Sequence, residues 1–140
     1  PYDYKDGLVY VDKRLDGGAV RDSKMLWALG HFARFIRPGA RRIGVLAPPE
    51  APDPAREHDA PLVSAWVGAD GRSLVAVGIN PAQRPLSLKL VLADGTRRRF
   101  RSFLTTPEPG KNLAPGPALE TGVPWTLPPR SMATWVGESD

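Results

Sequence analysis

The chain contains no cysteine, so disulfides, thiolate zinc sites and a cysteine nucleophile are all excluded. It has two histidines, His31 and His58, too few for a multi-histidine metal centre, and no metal or cofactor is expected. Long apolar runs are missing too. None approaches the ~20 residues that a bilayer-spanning helix requires, and no membrane partner is expected. Glutamate is absent from residues 1–46; the five in the chain are Glu50, Glu57, Glu108, Glu120 and Glu138. Strong net charge is lacking as well, the formal value being +4 in 140 residues. With 41% apolar and 24% charged residues, the composition is that of one globular domain and not of a disordered tail.

Proline is abundant instead. Its 16 residues and the 14 glycines make about a fifth of the chain, and the prolines concentrate after residue 47. Helices tolerate that poorly, whereas short strands joined by turns tolerate it well. The composition therefore changes near Ala47. Before that point, Gly7 to Val11 reads as a buried strand, and Asp12 to Asp22 as a polar loop turning at Asp16-Gly17-Gly18. Asp22 or Ser23 is placed to cap a helix. Met25, Ala28, Leu29, Phe32, Phe35 and Ile36 recur at spacings of three and four, forming one apolar helix face that Pro38-Gly39 terminates. Strand, loop and helix make half of a βα repeat. A parallel strand must be covered on both faces, so the rest of that sheet is expected upstream of Pro1. The start at Pro1, with no leader before it, reads as a mature or trimmed piece.

Beyond the boundary the period is two. Arg42 to Leu46 is a first strand, and Leu62–Val67 and Leu74–Ile79 flank the turn Ala69 to Arg72. Leu86 to Leu92 alternates, and Ala93 to Thr96 is expected to turn it into Arg97–Leu104 as a second hairpin. Trp125–Leu127 and Met132–Val136 complete the set. Six or seven short strands with turns between them predict an antiparallel β-sandwich over residues 42–140, preceded by a strand-helix unit over residues 1–41.

Few constellations carry chemistry. No two of the glutamates fall on facing strand ends, as a glycosidase pair would require. No G-x-S-x-G elbow and no phosphate-binding glycine loop is present, and His31, in mid-helix, suits packing better than catalysis. Arg97-Arg98-Arg99-Phe100-Arg101 has the charge that a nucleic acid would need. A solvated strand face is the preferred reading, and no nucleic-acid partner is expected. Trp27, Trp66, Trp125 and Trp135 suit either a sugar platform or core packing, the latter preferred. In a barrel of parallel strands, ligands bind at the carboxyl ends of the strands. Tyr10, Asp12, Lys13 and Arg14, at and after the first strand, would then line that mouth; otherwise they form a solvated loop.

Tyr10-Val11-Asp12, followed by Leu29-Gly30-His31-Phe32-Ala33-Arg34-Phe35-Ile36-Arg37-Pro38-Gly39, resembles the last βα unit of glycoside hydrolase family 30, where a helix reading G-x-F-[ST]-[RK]-F-[IV]-R-P-G leads from the barrel into a side sandwich. Leu104 to Leu113 is similar to a loop of that sandwich, and Leu127 to Gly137 to its closing strand, usually L-P-P-x-S-[VI]-T-T-[FL]. Ala33 replaces the usual Ser or Thr, and Trp135 the usual Phe. The resemblance implies a (β/α)8 barrel with an attached β-sandwich and retaining hydrolysis of β-linked glycosides. It implies a polysaccharide or oligosaccharide substrate, no cofactor, and a secreted or periplasmic location. Both catalytic glutamates would lie upstream of Pro1, so no catalytic residue is assigned within the chain. The upstream barrel becomes its partner, and Tyr10, Asp12, Lys13 and Arg14 its substrate-binding candidates. The short form Gly7 to Asp12 leans toward the endo-β-1,6-galactanase-like branch. The alternative, from a different class, is a carbohydrate-binding β-sandwich without catalysis that holds sugar through Trp66 or Trp125.

Overall fold

The computed structural model describes residues 7–12, 16–46 and 60–137. Along the chain these form β1 (Val9–Val11), β2 (Val20–Asp22), α1 (Lys24–Ala33), β3 (Arg41–Ile43), β4 (Leu62–Val67) and β5 (Leu74–Asn80). There follow β6 (Leu86–Lys89), β7 (Arg99–Thr105), β8 (Ala114–Pro115), β9 (Leu119–Glu120), β10 (Pro124–Leu127) and β11 (Ser131–Gly137). The architecture is mainly β, with antiparallel sheets in a sandwich and one helix, as the sequence predicts. A seven-stranded sheet runs in the order β3-β4-β5-β11-β7-β8, with β9 also on β7, while β6 and β10 form a separate pair.

Alternation along the central strands assigns two faces to the large sheet. On one face Ala76, Phe100, Ala133 and Trp135 pack with Leu119 and Leu127, and Leu88 and Trp125 of the small sheet close over them. Trp135 is fully buried, and Trp125 meets it edge-on at 5.2 Å. The indole needs room in the layer. A Cβ at Gly78 would come within 2.6 Å of the Trp135 ring, so the strand carries glycine where it passes under it. On the other face Val75, Val77 and Met132 meet Ala28, Phe32, Phe35 and Ile36 of the helical segment. The large sheet is therefore covered on both sides, by a thin sheet and by a helix.

The helix begins where Ser23, in extended conformation, accepts the Leu26 N–H on its hydroxyl oxygen at 3.4 Å. The same hydroxyl donates to the Leu8 carbonyl at 3.0 Å, so the cap also ties α1 to the segment before β1. Gly39, at φ +85°, lets the chain leave the helical segment and enter β3.

Three features differ from the sequence reading. The segment Asp12 to Asp22 is not simply a loop, because Val20–Asp22 pairs antiparallel with Val9–Val11 as a short hairpin. The expected pairing of Leu86–Leu92 with Arg97–Leu104 does not form. β6 pairs with β10 across the sandwich, and β7 pairs with β11, so the Asp94-Gly95 turn carries the chain from one sheet to the other. The turn signal was real, since Asp94 accepts the Thr96 N–H and hydroxyl, but a turn does not dictate which strand is the neighbour. Finally, the first strand is not buried among the described residues: Val9 is 45% and Val11 63% exposed.

Candidate functional site

β1 and β2 place the sequence-predicted residues. Tyr10, half-buried, sits opposite Arg21, and its hydroxyl accepts the Gly7 N–H at 3.2 Å. Asp12 follows β1, is exposed, and donates its backbone N–H to the Ala19 carbonyl at 3.0 Å. The structure thus sets Tyr10 in the middle of β1 and Asp12 just past its end, close in sequence to Lys13 and Arg14, which lie outside the described residues.

The carboxylates farther along are occupied differently. Asp70 accepts from the N–H groups of Arg72 and Ser73 and from the Ser73 hydroxyl, at 2.8 to 3.0 Å. Those hydrogen bonds favour the ionised form and hold Asp70 below the usual carboxylate range; Thr96 does the same for Asp94. A carboxylate held ionised is a poor general acid, so neither suits the proton-donating half of a hydrolytic pair. Glu108 and Glu120 are exposed, on the loop after β7 and in β9. Among the described residues no three of His, Asp and Glu gather as metal ligands.

The feature that sequence reasoning characterised least is His31. It is fully buried between α1 and the large sheet. Its Nδ1 lies 2.7 Å from the Thr134 hydroxyl and its Nε2 2.9 Å from the Thr105 hydroxyl. Thr134 Oγ1 donates to the His31 carbonyl at 3.3 Å, and Thr105 Oγ1 accepts the Leu113 N–H at 2.9 Å. This pattern fits a neutral imidazole protonated at Nδ1, which donates to Thr134 while Nε2 accepts from Thr105. Burial pulls its pKa down from 6.5 to about 4. With both ring nitrogens engaged and no exposed surface, His31 is a structural latch. The available signal was a threonine in each of β7 and β11, and the strand pairing needed to see them meet lies far along the chain.

The tryptophans divide. Trp125 and Trp135 belong to the sandwich core. Trp27 donates its indole N–H to Asp22 at 2.5 Å. Trp66 lies on the helix side of the sheet, edge-on to Phe32 at 5.8 Å. In the arginine run, Phe100 is buried while Arg99 and Arg101 are exposed, which is the expected strand alternation.

Solved glycoside hydrolases contain regions similar in structure to this chain. The chain is 29% identical to a family 30 endoxylanase from Clostridium papyrosolvens, with a TM-score of 0.67 over 84% of this chain and 28% of that one. Against the catalytic domain of family 30 xylanase C from Talaromyces cellulolyticus the identity is 27% and the TM-score 0.59, over 95% and 27%. A conserved exported protein from Bacteroides fragilis gives 25% and 0.74, over 92% and 26%. No protein-family profile matches the chain. The chain thus has the fold of the C-terminal region of family 30 glycoside hydrolases, and it spans under a third of the length of these solved chains.

Proposed function

We propose that the chain is the C-terminal portion of a secreted or periplasmic retaining glycoside hydrolase that acts on β-linked polysaccharide or oligosaccharide. In this reading residues 1–41 are the last βα unit of a (β/α)8 barrel and residues 42–140 its side sandwich. The catalytic glutamate pair belongs to the barrel upstream, and Tyr10, Asp12, Lys13 and Arg14 face its sugar-binding mouth. The galactanase-like branch is the finer form of the proposal, supported by the short Gly7 to Asp12 segment.

One observation carries the reading. The apolar face of the helix is only partly covered. Ala28, Phe32, Phe35 and Ile36 pack on the sandwich, while Met25 (56%) and Leu29 (49%) stay exposed on α1, and Val11 (63%) and Val20 (70%) do so on the hairpin before it. A helix at the surface of a finished domain turns its apolar stripe inward; apolar residues left exposed along it and on the adjoining hairpin are explained by a second layer of protein. A barrel whose last strand and helix are β1 and α1 supplies that layer.

Pairing the chain with the upstream segment of its own coding sequence tests the proposal. The joined protein should release reducing sugar from xylan or β-1,6-galactan, and the chain alone should not. Turnover by the pure chain, abolished by changing a glutamate within it, would overturn the reading.

A further inference from the structure

A cleft of about 260 Å³ opens between the exit of the helical segment and the turn that joins β4 to β5. Phe35, Trp66 and Val75 form its apolar wall, and Arg37, Asp70 and Ser73 its polar one. Its volume lies under the roughly 300–1,000 Å³ of drug-sized pockets, which suits one or two small rings. Both walls are preformed. Phe32 fixes the Trp66 ring edge-on, and the opposite turn is held by Gly68 N–H to the Ser73 carbonyl at 2.8 Å together with the three hydrogen bonds to Asp70. A ligand would therefore order little of the protein on entering.

We propose that this cleft binds one neutral pyranose unit of a polysaccharide. A pyranose has an apolar C–H face and an edge of hydroxyls, each both donor and acceptor. Trp66 and Phe35 match the face, while the Arg37 guanidinium donates and the Asp70 carboxylate accepts at the edge. A uronate would bring its own negative charge beside Asp70. The larger groove, of about 510 Å³ near Arg97 to Arg99, has no aromatic ring in its lining and does not offer a sugar such a face. Trp125, packed against Trp135 in the core, is not part of either.

The proposal rests on the polysaccharide part of the functional reading above, and on neither the barrel nor hydrolysis. The test is a titration of the whole 140-residue chain with xylohexaose, cellohexaose and, as the acidic probe, hexagalacturonate, followed through the tryptophan indole resonances. Saturable binding of a neutral oligosaccharide that shifts the Trp66 resonance is expected. Trp66→Ala should weaken it by about tenfold or more, the loss of one aromatic contact. Arg37 is exposed, so Arg37→Ala keeps the fold and should weaken binding by about threefold. That variant decides the matter if Trp66→Ala fails to fold. No binding at millimolar sugar, binding indifferent to Arg37→Ala and to a folded Trp66→Ala, or preference for hexagalacturonate would each overturn the proposal. None of these results bears on whether the chain pairs with a barrel.

Discussion

At His31 a titratable ring is held by two threonine hydroxyls and sealed between helix and sheet. The folded protein holds the ring neutral down to about pH 4, whereas an unfolded chain protonates it near 6.5. The sign follows. Stability from neutral His31 is complete above pH 6.5, falls as pH drops through the window from 6.5 to about 4, and is flat below it. The full swing corresponds to ~3 kcal/mol. Asp70 and Asp94 are held below 3.8, so their contribution is lost only beneath that window. Urea midpoints measured across the window should show the slope, and His31→Gln should remove most of it. An unchanged slope in the variant would assign the effect to other groups.

Among the elements, α1 shows how tertiary contacts override local preference. Lys24 occupies the first helical position, where a cation meets the positive end of the helix dipole. Its reason for being there is the loop after β7: the ammonium donates to the Glu108 carbonyl at 2.7 Å and to Asn112 Oδ1 at 2.5 Å. Gly30 makes a similar exchange, for a Cβ there would lie 2.8 Å from Leu113, the buried residue at φ +47° that ends the same loop. Lys24→Met should release this loop. Hydrogen exchange at the Lys111 and Leu113 amides should quicken about tenfold, with ~1–2 kcal/mol of stability lost, while amides of β5 and β11 keep their protection. Uniform loss of protection would mean that the loop and sheet open together.

For the whole molecule, the exposed apolar side of the β1-β2-α1 unit is the consequential feature. Val11 and Val20 are paired neighbours in the hairpin, both more than half exposed. Val11→Lys with Val20→Glu should therefore change the unfolding midpoint of the chain by little, within about 0.5 kcal/mol. The same change should abolish productive pairing with an upstream barrel, read as lost hydrolysis in the joined protein. A large drop in the stability of the chain alone would show instead that these side chains already belong to its own core.

Much of this architecture was legible from residue order alone, because period and punctuation are local properties. The alternation over 62–67 and 74–79 and the Ser23 cap each place an element to within a residue or two, whereas α1 ends at Ala33, a turn ahead of the Pro38-Gly39 stop. Partner choice was not legible. Nothing in Leu86–Lys89 or Arg99–Thr105 says that the two will lie in different sheets, because register and neighbour are set by which faces the whole core buries. The same holds for the sites. Tyr10 and Asp12 could be proposed from their positions at and after a strand, but the meeting of His31 with Thr105 and Thr134, and of Trp66 with Arg37 and Asp70, joins residues up to 103 positions apart. Only the packing of helix on sheet brings those groups within reach, and that packing belongs to the tertiary structure.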